Sequence, residues 1–185
     1  PPNHLVISPT MKCNLRCYGC YAWQYPKKDD LPYDVCNRII DEANALGLYF
    51  FVITGGEPFV WEHFYDFLER HNDSFFQIYT NGTMITDEVA KKLAKLGNAV
   101  PCISVEGFEK ETAARRGDET WGRIMSAMDA LRENGVLFGY SVTATRPNNE
   151  LVVSDEFVDF FVEKGCFIGW YFNYIPIGRE PNMDL

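Results

Sequence analysis

Short apolar runs alternate along the chain with longer stretches in which apolar residues recur every three or four positions. The runs at 4–8, 48–53, 75–79, 99–105, 136–145 and 167–175 predict strands, and the stretches between them predict helices. In the first helical stretch Val35, Ile39, Ala43 and Leu46 share one face, and Gly47 supplies the stop. Further helices are predicted at 61–70, from Thr86 to Gly97 with Asp87 and Glu88 in the first turn, at 119–133, and at 155–163. In the 119–133 stretch Trp121, Met125, Met128 and Leu131 form the apolar face; Phe157, Phe161 and Val162 turn inward in the last. The run at 48–53 is apolar at every position, which is how a central strand covered on both faces reads. Six strands and five helices in βα alternation predict an α/β fold with parallel strands, either an open doubly wound sheet or a curved, barrel-like one. Six units are too few to close an eight-stranded barrel.

Composition narrows the partners. With 185 residues, 46% of them hydrophobic, one domain with a sizeable core is expected. The balance of 26 acidic against 17 basic residues argues against a nucleic-acid surface, leaving small molecules or peptides. No apolar run approaches the roughly 20 residues that span a bilayer, and no signal peptide is recognisable, so a cytoplasmic location without membrane contact is expected. The chain opens Pro1-Pro2, without an initiator Met, and enters a strand within a few residues. An excised core domain of a longer protein, spanning 1–185, is the expectation.

The polar clusters at 13–20, 54–58, 80–83, 104–107, 141–146 and 176–179 each follow a predicted strand or occupy its C-terminal end. In parallel α/β folds these ends share one rim, where active sites are built. The first cluster holds Cys13, Cys17 and Cys20, three of the six cysteines within eight residues. Such crowding suits a metal better than disulfides, whereas Cys36, Cys102 and Cys166 sit among apolar neighbours as core residues do. Three thiolates in one loop can curl around a compact metal centre. A structural zinc site wants a fourth ligand, and neither His63 nor His71 is convincingly spaced, so a cluster with one open iron is favoured. Lys12 and Arg16 are placed to offset the negative charge. Two rivals stand beside a catalytic reading: an electron-transfer module with a four-ligand cluster, and a zinc-stabilised interaction domain.

Thr54-Gly55-Gly56-Glu57-Pro58 follows the second strand; its glycines allow close backbone approach to a ligand and Glu57 presents a carboxylate. Thr80-Asn81-Gly82-Thr83 follows the third, where turn chemistry alone explains an Asn-Gly pair. Ser104 and Glu106 alternate onto one side of the fourth strand end, and Ser141, Thr143 and Thr145 alternate on the fifth. Aromatic residues such as Trp23, Trp61, Trp170 and Tyr171 fall at spacings typical of a core.

The C-x-x-x-C-x-x-C loop directly after the first strand, followed by Gly55-Gly56-Glu57-Pro58, resembles the radical S-adenosylmethionine (radical SAM) superfamily core over nearly the whole chain, in particular cores followed by SPASM or twitch-type cluster domains. The resemblance implies a partial (βα)6 TIM-like barrel and a [4Fe-4S] cluster held by Cys13, Cys17 and Cys20. S-adenosylmethionine would chelate the fourth iron, and its reductive cleavage would give a 5′-deoxyadenosyl radical that takes hydrogen from a substrate. It assigns Gly55, Gly56 and Glu57 to the cofactor's methionine, Asn81 to its surroundings, Ser104 and Glu106 to the ribose, Arg116 of Arg115-Arg116 to the carboxylate, and Thr143 to the cavity. The stretch from Tyr174 to Arg179 would border the adenine. Two departures stand out: Gly19 occupies a position that is commonly aromatic, and Glu106 one that is commonly Asp. A small-molecule or peptide substrate, with a lean to peptide or protein modification, and an external flavodoxin- or ferredoxin-type electron donor complete the expectation.

Overall fold

The computed structural model of the chain describes residues 2–24, 30–177 and 183. Six strands, β1 (Leu5–Thr10), β2 (Phe50–Gly55), β3 (Phe75–Thr80), β4 (Ala99–Val105), β5 (Gly139–Ala144) and β6 (Gly169–Asn173), form one sheet in the order β1-β2-β3-β4-β5-β6. Every neighbouring pair is parallel. The sheet curls into a half-barrel, which stays open on one side because β1 and β6 do not pair with each other.

Seven α-helices follow the strand ends: α1 (Tyr33–Ala45), α2 (Phe64–Arg70), α3 (Asp87–Leu96), α4 (Glu109–Arg116), α5 (Thr120–Glu133), α6 (Asn149–Val152) and α7 (Asp155–Lys164). The predicted caps form. Thr86 accepts a hydrogen bond from the Val89 N–H, and Gly97 ends α3 in the left-handed conformation. Side-chain alternation divides each strand between two environments. Phe51, Ile53, Phe76, Ile78, Ile103, Val105, Tyr140 and Val142 are buried in the core with the helices. Phe67 of α2 packs on Phe76 with ring centres 5.5 Å apart, and Phe161 of α7 packs on Tyr140 at 4.7 Å. The intervening positions, Val52, Gln77, Tyr79, Ser104, Ser141 and Thr143, line the concave face.

The uniformly apolar run of β2 therefore does not mark a central strand: β2 lies next to the edge, and Phe50 and Val52 face the cavity. Two helices escaped the periodicity. α6 has only four residues. α4 reads Glu-Lys-Glu-Thr-Ala-Ala-Arg-Arg and buries only Thr112, so it offers no apolar stripe. Its signature is electrostatic, with Glu109 and Glu111 in the first turn and Arg115 and Arg116 in the last, matching the helix dipole.

Candidate functional site

The cysteine loop lies across the tops of β1 and β2, held from three sides. From the second strand end, the Gly56 N–H donates to the Thr10 carbonyl at 2.9 Å and the Glu57 N–H to that of Lys12 at 2.8 Å. From the third, Asn81 Nδ2 donates to Asn14 Oδ1 at 2.8 Å and contacts Cys13 Sγ at 3.8 Å. From α4, the Arg115 carbonyl accepts from the Tyr18 N–H at 2.9 Å, while Arg115 Nε donates to the Tyr18 carbonyl at 3.2 Å. The paired glycines owe their place to this packing. A Cβ on Gly56 would lie 2.0 Å from the Lys12 carbonyl oxygen, and one on Gly55, whose φ is +117°, 2.4 Å from that of Thr10.

Below the loop opens a cavity of about 760 Å³, within the size of sites that enclose a drug-sized ligand. Cys13, Cys17, Cys20, Gly55, Gly56, Asn81, Ser104, Arg116 and Thr143 all line it. None of the six cysteines is in a disulfide. Burial pushes the Cys13 thiol up to about 11 and raises Cys17 too, with Arg116 pulling Cys17 back. A thiolate set at this rim thus calls for positive charge. Arg116 and Arg115 supply it at Cys17, keeping one net positive charge after both pair with Glu106, while the Lys12 ammonium is paired with Asp30 at 2.7 Å. Among the described residues no three Cys, His, Asp or Glu groups converge as the ligands of a single ion must. His63 packs against Tyr33 and Trp61, and His71 is buried against Asn37, so neither joins the cysteines.

Two carboxylates stand outside the cavity lining. Glu57 is fully buried and accepts from Thr80 Oγ1 at 2.7 Å, the Asn81 N–H at 2.7 Å and the Phe59 N–H at 3.2 Å. It locks the second strand end to the third. Burial raises its carboxyl above the ordinary value, and these donors pull against that shift. Glu106, 3% exposed, accepts from Arg115 Nη1 at 2.7 Å and from Arg116 Nη2 and Nε at 2.6 and 3.0 Å. It thereby fixes the two guanidinium groups beside the thiols. The alternation that placed Ser104 and Glu106 on one side holds only as far as the strand: Ser104 lines the cavity, whereas Glu106 lies past the end of β4.

Asn148 gave no sequence signal, yet it is 4% exposed and joins two strand ends. Its Nδ2 donates to the carbonyls of Glu106 at 2.7 Å and Thr143 at 3.0 Å, and its Oδ1 accepts from the Thr145 N–H at 2.6 Å. Gly19 has φ +66°, which explains why a bulky residue does not stand there. Tyr174, Ile175 and Ile177 reach the cavity; Gly178 and Arg179 lie outside the described residues, as does the Trp23 side chain. Trp170 lines the cavity, Trp61 is core, and Tyr171 turns to the other face to bond Tyr140 at 2.8 Å.

A parallel half-barrel with clustered cysteines and glycine turns at its C-terminal rim belongs to the α/β proteins that build their sites at that rim. The sequence model of the Radical SAM superfamily matches residues 7–150, so the chain belongs to that superfamily, whose members are enzymes using a [4Fe-4S] cluster and S-adenosylmethionine. The AdoMet-dependent heme synthase of Methanosarcina barkeri is 25% identical over 189 residues, covering 99% of this chain and 54% of that protein. Mycofactocin maturase MftC of Mycolicibacterium smegmatis is 34% identical over 172 residues, covering 89% of this chain and 43% of that one. Streptococcus suis SuiB bound to S-adenosylmethionine superposes with a TM-score of 0.84 at 24% identity, over 97% of this chain and 42% of SuiB. SuiB bound to its precursor peptide SuiA superposes with 0.81 at 25% identity, over 94% and 40%. The chain spans about half the length of the curated relatives it matches. Among the described residues no helix is long and apolar enough to cross a membrane.

Proposed function

We propose that the chain is the core domain of a radical enzyme that modifies a peptide or protein. The observation that carries this reading is the gathering of three cysteines outside any disulfide, two close-packed glycines and an arginine pair around one cavity. Cys13, Cys17 and Cys20 would hold the [4Fe-4S] cluster, leaving one iron for S-adenosylmethionine. Gly55 and Gly56 would border the methionine end, Asn81 the cluster side, Ser104 and Thr143 the nucleoside. Arg116 would meet a carboxylate, with Glu57 and Glu106 acting from behind the surface by fixing the Gly turn and the guanidinium groups. When bound, the reduced cluster and S-adenosylmethionine supply a 5′-deoxyadenosyl radical that abstracts hydrogen from the substrate. The chain's own task is to orient that substrate and keep water out.

Peptide substrates are supported by the likeness to SuiB, solved with a precursor peptide, and to a maturase. The cavity agrees: Arg115 and Arg116 are its only Lys or Arg among the described residues, and Glu106 balances one of their two charges, leaving one for the cofactor's carboxylate. An external one-electron donor of the flavodoxin or ferredoxin type would deliver the electron. A plain electron carrier has no use for so large a cavity.

Anaerobic reconstitution with iron and sulfide, then dithionite and S-adenosylmethionine, is expected to yield 5′-deoxyadenosine in wild type and none in Cys17→Ala. A well-formed cluster without 5′-deoxyadenosine, or equal yield from the variant, would overturn the assignment.

A further inference from the structure

The concave wall carries a polar pair that none of the cofactor assignments uses. Gln77 and Tyr79 sit two residues apart on β3, on the face that lines the cavity. Gln77 is only 6% exposed. Its Nε2 donates to Tyr79 Oη at 2.7 Å, and neither Gln77 Oε1 nor the Tyr79 hydroxyl hydrogen has a further partner among the described residues. Exchanging the amide nitrogen and oxygen of Gln77 still leaves at least one donor and one acceptor facing the cavity. The pair is held rigidly. The Tyr79 ring stands edge-on to Phe172, centres 5.3 Å apart. Burial raises the Tyr79 hydroxyl above its ordinary value, so it remains a neutral donor.

The surroundings say what such a pair recognises. Val6, Phe50 and Val52 on one side and Trp170 and Phe172 on the other make apolar flanks. No Lys, Asp or Glu lines the cavity among the described residues. Both unmatched groups open onto the cavity, so a ligand that offers a donor and an acceptor together pairs both, whereas an apolar group seated there would strip their water and leave them unpaired. Arg115 and Arg116, the cavity's only Lys or Arg among the described residues, pair with Glu106 and act on Cys17 at the rim, and β3 itself carries no charged residue. The group that offers one acceptor and one donor at neighbouring atoms, carries no charge and sits on an apolar side chain or backbone is an amide.

We propose that Gln77 and Tyr79 form a substrate subsite for a neutral amide, either a peptide bond or a carboxamide side chain, placed beneath the cofactor rim. This inference rests on the reading of the cavity as a peptide-modifying reaction chamber, and names which part of the substrate the wall grips.

The test uses the full chain with cluster reconstituted and unreduced and with S-adenosylmethionine present, so that no turnover is needed. N-acetyl-leucinamide and its anionic counterpart N-acetyl-leucine are titrated by saturation-transfer NMR. The amide is expected to bind at least tenfold more tightly than the carboxylate. Tyr79→Phe should weaken the amide about fivefold, the worth of one net hydrogen bond. Gln77→Leu should weaken it further and collapse the preference for amide over carboxylate. The proposal is overturned if the two probes bind equally, if the carboxylate binds more tightly, if no transfer to the amide is seen, or if both variants stay within twofold of wild type. Wild-type 5′-deoxyadenosine formation is scored separately, so failure of the radical reading and failure of the amide subsite give different results.

Discussion

Replacing Glu57 by Ala distinguishes a carboxylate that faces a ligand from one that holds the site together. In the structure the side chain is fully buried and takes three donors, the Thr80 hydroxyl and the N–H groups of Asn81 and Phe59. Removing the acceptor leaves three buried donors without partners, each costing about 1–3 kcal/mol. Relief from burying a charge offsets part of that, since burial already raises the Glu57 carboxyl above its ordinary value. The net loss is about 3 kcal/mol. For a chain of this length that corresponds to roughly 10 °C in melting temperature. The measurement is urea unfolding and thermal melting of the protein without cluster or S-adenosylmethionine, where a ligand-facing carboxylate would contribute nothing favourable. Glu57→Gln should fall between wild type and Ala, because its amide keeps one acceptor but opposes at least one donor with an N–H of its own. An Ala variant as stable as wild type that nonetheless binds S-adenosylmethionine weakly would refute the buried-lock argument and return Glu57 to the ligand surface.

Gly56→Ala would drive a methyl group to within 2.0 Å of the Lys12 carbonyl, so the cysteine loop must lift; iron bound per chain after reconstitution should fall severalfold, and full loading would contradict the close-approach argument. Glu106→Gln removes the negative charge shared by Arg115 and Arg116, both largely buried, and sets an amide N–H against one of the two guanidinium groups; breaking a buried ion pair in this way costs about 3 kcal/mol, and chemical denaturation should register it. His71 provides a pH signature. Burial, opposed by the nearby Asp41, lowers its pKa below the ordinary 6.5, so the folded state holds fewer protons than the unfolded chain in that interval. Stability is thus complete above about pH 6.5 and declines as pH falls through the depressed value. Melting from pH 8 to 5 should show that decline, reduced in His71→Gln; identical slopes in both proteins would exclude His71 as its source.

The order of strands and helices, the parallel sheet and the position of Cys13, Cys17 and Cys20 on one rim were legible in the chain because each rests on short-range regularities. Apolar periodicity, helix caps at Thr86 and Gly97, and the placement of polar clusters after strands are properties of neighbouring residues. What those regularities do not encode is which way a polar side chain turns once the sheet curls. Glu57 reads as a ligand contact, yet the fold seals it beneath the Gly turn; Lys12 and Arg16 read as the cations for the thiols, yet Lys12 pairs with Asp30 and it is Arg116 and Arg115 that pull Cys17 down. α4 escaped notice because a charged helix with one buried residue has no apolar stripe, although it carries both arginines of the site. Asn148 is an ordinary polar residue until the end of β4 brings the Glu106 carbonyl to 2.7 Å, and Gln77 and Tyr79 bond each other within one strand but gain a cavity to face only when the sheet curls. Local propensity decides which elements form and where the chain turns. Only the packing of one strand end against another decides which groups are buried, which are paired and which are left facing the cavity, because desolvation and hydrogen-bond partnering depend on neighbours distant in sequence.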